Sequence, residues 1–187
     1  METLTGTLVR LRPVRDTDFE FFASLRNDLR TQGWNQRLPP NFTAQISKER
    51  YEESRKREHA GLFAIETTEG ALIGSTNYAE GPPRWAATFG IMISPEYWGK
   101  GHAPEAQELL LRFLFEERGL RVVRLWTNSW NERAMKAAGK LGFRVAARLR
   151  ESAVFEGRVV DTIMMDLLRE EFFALRGLED KMPPVEP

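Results

Sequence analysis

The sequence predicts one mixed α/β domain, and three observations predict it. A length of 187 residues fits a single domain at roughly 150 residues each. Short alternating apolar runs interleave with segments whose apolar residues recur at helical spacing. No repeat, low-complexity tract or linker interrupts residues 1–176, and the polar, proline-bearing stretch 177–187 is expected to be a mobile tail outside the domain.

The elements follow in order. Leu8 to Arg12 alternates as a strand halted by Pro13. Asp16 is placed to cap a helix bearing Phe19, Phe22, Ala23 and Leu25 at helical spacing. Trp34 to Asn41, with Gly33, Pro39 and Pro40, reads as a loop, and Thr43 opens a second, highly charged helix. Leu62 to Glu66 and Ala71 to Tyr78 form a hairpin across Glu69-Gly70, and Ala86 to Ile93 is a third run of strand. Beyond a glycine turn, an amphipathic helix covers Pro104 to Glu117 and ends at Gly119. Val122 to Trp126 is a strand, Asn131 caps a helix through Lys140, and Phe143–Leu149 and Val159–Leu167 close the chain as two strands.

Composition excludes several function classes. With 27 basic and 27 acidic residues the net charge is zero, which argues against a mainly electrostatic nucleic-acid binder. A content of 42% hydrophobic and 29% charged residues is that of a soluble globule rather than a disordered chain. No cysteine means no disulfide, no thiolate metal site and no cysteine acyl-enzyme. The two histidines, His59 and His102, are too few for a histidine metal cluster, and no carboxylates stand beside them at ligand spacing; no metal is expected. No secretory signal opens the chain and no apolar run is long enough to cross a bilayer, so a cytoplasmic protein without membrane contact is expected.

The most informative stretch runs from Ile91 to Glu105: a strand, a turn with Gly99 and Gly101, and a helix start. Amides at a helix N-terminus lack intrahelical partners and carry the positive end of the dipole, which makes an anion site without net charge. The glycines let the backbone take positive φ and approach a phosphate without a Cβ, with Lys100 and His102 at the rim. The dinucleotide fingerprint fails here because Pro104 stands where its third glycine belongs, and no P-loop spacing is present.

From about Leu8 to Phe172 the chain resembles the GNAT superfamily of acyl-CoA-dependent N-acetyltransferases, and within it the RimJ/RimL-type branch. Trp98-Gly99-Lys100-Gly101-His102-Ala103 matches that family's Arg/Gln-x-x-Gly-x-Gly/Ala diphosphate motif except at its first position. Glu105 matches the branch's glutamate after the motif, and Asn131-Glu132-Arg133-Ala134 with Leu141-Gly142-Phe143 matches the Asn-x-x-Ala/Ser and Gly-Phe elements. Leu149-Arg150-Glu151, Gly157-Arg158, Asp161 and Leu167 to Glu170 resemble the branch's closing hairpin.

The resemblance implies a mixed, mostly antiparallel twisted sheet flanked by helices on both faces. The sheet splays into a V between its fourth and fifth strands, at a bulge in the strand before the glycine turn. The cofactor implied is acetyl-CoA as co-substrate. Its pantetheine arm would pair with Ile91-Met92-Ile93 like an added strand, facing Arg124 to Thr127. Its diphosphate would rest on the turn formed by Trp98, Gly99, Lys100, Gly101, His102 and Ala103. Asn131 would reach the pantetheine arm from the next helix, and a plain N-cap is the other reading of that residue.

The implied chemistry is direct attack of an amine on the thioester through a tetrahedral intermediate. The amine must first be neutral: an α-amine of pKa ~7.8 costs about 1 kcal/mol to deprotonate at pH 7, a lysine-type amine of pKa ~10.4 about 4–5. Glu105 is the first candidate for ordering a water that takes the proton, set against a first-turn glutamate that only satisfies the dipole. The family's usual thiolate proton donors are absent, since Ala138 and Ala134 fill their positions. Water, helix dipoles or the Ser129 hydroxyl are left to meet a thiol of pKa ~8.5.

Trp34, Tyr78, Trp85 and Trp126 are expected to line an acceptor cleft. The first reading of the acceptor is a protein N-terminal or small-molecule amine. The alternatives are an antibiotic- or polyamine-type acetyltransferase and, in another class, a GNAT module that binds acyl-CoA without turnover. A monomer or homodimer is expected.

Overall fold

Eight strands build one sheet: β1 (Leu4–Thr5), β2 (Val9–Pro13), β3 (Ala60–Thr67), β4 (Leu72–Gly81), β5 (Ala86–Ile93), β6 (Val122–Asn128), β7 (Arg144–Phe155) and β8 (Arg158–Leu168). Their order is β1-β2-β3-β4-β5-β6-β8-β7, antiparallel throughout except between β5 and β6. The structure, a computed structural model, describes residues 2–32, 41–57, 59–81, 85–155 and 157–181. The helices are α1 (Asp18–Asn27), α2 (Leu29–Gln32), α3 (Ala44–Arg55), α4 (His102–Arg112), α5 (Glu132–Lys140) and α6 (Arg169–Arg176).

Alternation along β3 divides the two faces. Phe63 and Ile65 join the main core with Leu110, Leu111, Leu114 and Phe115 of α4 and the wide π turn Phe113–Glu117 that prolongs it. Ala64 points the other way, into a smaller core with Phe19 and Phe22 of α1, against which Tyr51 of α3 packs. Each of the four fully buried side chains at the α4 end gains about 1.5–3 kcal/mol from leaving water. α6 adds Phe172 and Phe173 to the main core, with the Phe172 ring 4.8 Å from that of Phe115.

A buried charged group ties β2, α1 and β3 together. Arg12 donates to both oxygens of Asp18 at 2.8 and 3.0 Å and to Glu66 at 2.6 Å. Asp18 also accepts the Arg15 amide, and α1 begins at Asp18. The expected cap at Asp16 is therefore corrected: Asp16 pairs with Lys48 of α3 instead, and no side chain caps α1. Thr43, by contrast, caps α3 through the Ile46 amide as its sequence predicts.

The V is present, with one correction. β5 and β6 pair only at Ala86–Val122, Ala87–Val123 and Thr88–Arg124; beyond this β5 stays with β4 out to Ile93–Gly74, while β6 stays with β8 out to Asn128–Thr162. Because the two-residue β1 precedes the rest, the fourth and fifth strands read from the sequence, Ala86–Ile93 and Val122–Trp126, are β5 and β6, and the gap lies between them as expected. No bulge opens it, since the β4–β5 register runs unbroken; the register shifts lie in the β3–β4 pair at Ile65/Glu66 and in β7. No helix among the described residues is long and apolar enough to cross a membrane.

Candidate active site

The open arm of β5 ends at Ile93, whose side chain is core, and Ile91 packs partly against the same core. The backbone then makes a short 3-10 turn, Pro95–Tyr97, followed by Trp98. The Trp98 indole N–H donates to the Ile93 carbonyl at 2.8 Å, which fixes the ring against the end of the strand. Gly99 has φ 73° and Gly101 has φ 89°, and Gly101 is the N-cap residue of α4. Both lie in the left-handed region that glycine alone enters freely. Among the described residues, no acceptor takes the main-chain amides of Gly99, Lys100, Gly101, His102 or Ala103, whereas Trp98 donates to Pro95 and Glu105 to Gly101. Five neighbouring donors at the positive end of a helix are thus gathered in one place.

The flanks of this turn carry cations on aromatic faces. The Lys100 ammonium lies 5.6 Å from the centre of the Tyr97 ring, and the Arg133 guanidinium 4.0 Å from that of Trp98. Burial pulls the Arg133 pKa below its ordinary value. His102 meets Tyr97 edge to face at 5.3 Å, and its Nδ1 is shielded from solvent without a hydrogen-bond partner among the described residues.

Glu105 is not free to order water, which corrects the expectation for it. Its Oε1 accepts the Thr7 amide at 2.8 Å and its Oε2 those of Leu8 and Val9 at 2.6 and 2.8 Å. This clamp brings the β1–β2 turn against the first turn of α4, so that Leu8 Cδ1 comes within 3.2 Å of where a Cβ on Gly101 would stand. A side chain at Gly6 has no room either, since its Cβ would fall 2.7 Å from the Glu105 carboxyl carbon.

On the other arm, Asn131 is buried and caps α5, its Oδ1 accepting the Ala134 amide at 3.1 Å. Ser129 joins β6 to β8: its amide donates to the Asp161 carbonyl at 2.8 Å and its hydroxyl accepts the Asp161 amide at 3.3 Å. Next to it, Trp130 stacks on Phe155, ring centres 3.9 Å apart and planes at 14°, drawing the end of β7 down beside the mouth of the V. Ala138, at one vacant proton-donor position, is 1% exposed and belongs to the core.

The expected acceptor wall is largely dispersed. Tyr78 is only 6% exposed and packs in the main core beside Phe113, where burial pushes its phenol pKa up. Trp85 is exposed, but it precedes β5 at the closed end of the V, where its carbonyl accepts the Arg121 and Val122 amides. Trp126, 50% exposed, is on the open arm of β6 opposite Met164. Trp34 lies outside the described residues. His59 is accounted for away from the V, its Nδ1 3.3 Å from Glu80, which Arg118 also pairs. No three His, Asp or Glu side chains among the described residues form a group that could hold a metal ion.

Comparison with known proteins places this geometry. Residues 9–144 match the family model described as an acetyltransferase (GNAT) domain. The chain is 28% identical over 171 residues to the spermidine N(1)-acetyltransferase of Escherichia coli (strain K12), covering 89% of each. It is also 28% identical over 170 residues to an uncharacterized prophage-derived N-acetyltransferase, YokL, of Bacillus subtilis (strain 168), covering 90% of this chain and 94% of the relative. In fold it is similar to the crystal structure of spermidine N-acetyltransferase from Vibrio cholerae in complex with CoA and spermine, with a TM-score of 0.82 and 23% identity over 90% of this chain and 99% of that one. With a single α/β domain of matching topology and a family match over most of its length, the chain belongs to the GNAT acetyltransferase family and is an N-acetyltransferase.

Proposed function

We propose that the chain transfers the acetyl group of acetyl-CoA to a primary amine of a small polyamine. The observation that carries the cofactor half is the set of unengaged amides from Gly99 to Ala103 at the end of an unpaired strand arm. The residues present fit such a carrier. Ile91 to Ile93 offer a strand edge to an extended amide-bearing arm, and the turn offers donors and a Cβ-free cradle to a diphosphate. Lys100 and His102 stand at the rim. The Asn131 Oδ1 is committed to its cap, so its amide nitrogen is the group that would donate to the pantetheine arm.

The acceptor half is supported by relatives that carry the name spermidine N-acetyltransferase over nearly the whole length of this chain. Within the family this favours a polyamine-type member over the RimJ/RimL-type branch. In the reaction, the neutral amine nitrogen bonds to the thioester carbonyl carbon, the carbon–sulfur bond breaks, the thiolate leaves, and the nitrogen gives up a proton. A polyamine amine has a pKa near that of lysine, ~10.4, so its deprotonation at pH 7 takes about 4–5 kcal/mol. With Glu105 engaged by three amides, that proton passes to solvent water in the mouth of the V rather than to this carboxylate.

Thiol release from acetyl-CoA, measured against spermidine, spermine and a peptide with a free N-terminus, tests the reading. Turnover with the polyamines, and a rate that rises with pH toward the amine pKa, is expected. Turnover confined to the peptide would reject the acceptor, and CoA binding with no release from any amine would make the chain a binding module. Gly101→Val, strained at φ 89° and crowding Leu8, should distort the turn and abolish CoA binding, and an unchanged Kd by calorimetry would reject the nest.

A further inference from the structure

The glycine turn departs from the family motif at one position: Trp98 stands where arginine or glutamine is usual. We propose that Arg133, reaching from the opposite arm of the V, supplies the missing cation and binds the cofactor's diphosphate, with Trp98 as the platform that holds its guanidinium beside the nest. This rests on reading the turn as the diphosphate site.

Three observations converge on it. The indole is fixed by its bond to the Ile93 carbonyl, and Trp98 immediately precedes the first free amide, so a group 4.0 Å above that ring is held next to the nest. Arg133 is the second residue of α5, whose cap Asn131 follows β6, so the stack joins the two arms exactly where the sheet does not. Lys100, within the turn itself, rests on the adjacent ring of Tyr97, so two neighbouring aromatic rings each carry a cation. In a chain of zero net charge, recognition of a phosphate must come from such local placement.

The chemistry requires arginine. A guanidinium is planar, so one face can stay on the indole while its edge donates to two phosphate oxygens. Lysine offers a point charge and cannot do both. The guanidinium rests partly buried against the indole, where desolvation pulls its pKa down.

Calorimetric Kd values for CoA and 3′-dephospho-CoA, on the wild type, Arg133→Ala and Arg133→Lys, test the proposal. Arg133→Ala should weaken both ligands by about ten- to a hundredfold, with Arg133→Lys recovering only part of the loss. The dependence of log Kd on log salt should be shallower in Arg133→Ala, a change that loss of a purely structural bridge would not produce. If Arg133→Ala fails to fold, the partial loss and its salt dependence in Arg133→Lys carry the test. Affinities within twofold of wild type in both variants would overturn the proposal. So would a loss seen with CoA but not with 3′-dephospho-CoA, which would assign the guanidinium to the ribose phosphate. Failure of the wild type to bind CoA would instead overturn the nest reading beneath it.

Discussion

Three amides converging on one carboxylate make Glu105 a positioning residue. In Glu105→Gln one oxygen becomes an NH2 group that faces N–H donors, so at least one bond is lost and a repulsion replaces it. The variant should lose about 1–3 kcal/mol of stability in urea titration. It should also bind CoA more weakly, because the first turn of α4 carries part of the nest. If Glu105 acted on the amine's proton, kcat would fall instead, with CoA affinity kept and the pH profile displaced; the structure predicts neither of those two kinetic changes. The sequence alone could identify a glutamate at the right helical turn, but its partners lie almost a hundred positions away, at Thr7 to Val9. Arg133 was likewise visible only as a letter within a motif, since its approach to Trp98 depends on how the start of α5 meets the glycine turn.

The β7–β8 hairpin sets what surrounds the open arm. β7 shifts register between Leu149 and Ala153, with Glu151 at φ 52° and its amide held by Asp161. That kink lets Phe155 reach the Trp130 ring next to Ser129. Phe155→Ala should free the hairpin end and raise KM for the amine several-fold while leaving the CoA Kd within twofold, measured by initial rates and calorimetry. Elements with local punctuation were legible: Ala86 to Ile93, and the Asn131-capped helix ending at Lys140, form as read. The kink was not, because no glycine or proline marks it. α6 was missed because Arg169-Glu170-Glu171 follows β8 with no turn residue or side-chain cap to mark a helix start, and it is the burial of Phe172 and Phe173 that holds the helix in place. The places of Tyr78 and Trp85 were illegible for a different reason: which end of the V a strand residue occupies depends on pairing partners that composition does not reveal.

At the scale of the whole molecule, the Arg12–Asp18–Glu66 group joins the two layers and sets the response to acid. Burial pushes the Asp18 carboxyl up, but the Arg12 hydrogen bonds and the Arg15 amide outweigh it and hold the pKa below the ordinary carboxylate value. Its contribution is therefore complete above about pH 4 and lost as pH falls through the lower folded-state value. Asp18→Asn should remove about 3–5 kcal/mol near neutrality, toward the lower end because Glu66 still holds Arg12 Nε, and should flatten the acid limb of a stability–pH curve. The parting of β5 from β6 after Thr88 has a thermodynamic corollary. A molecule divided along its middle is incompletely cemented on its own, and an extended guest filling the slot becomes part of its architecture. Melting should then track guest concentration, gaining about 2.7 kcal/mol at a hundredfold excess over Kd, with deuterium uptake slowing along Phe89 to Ile93.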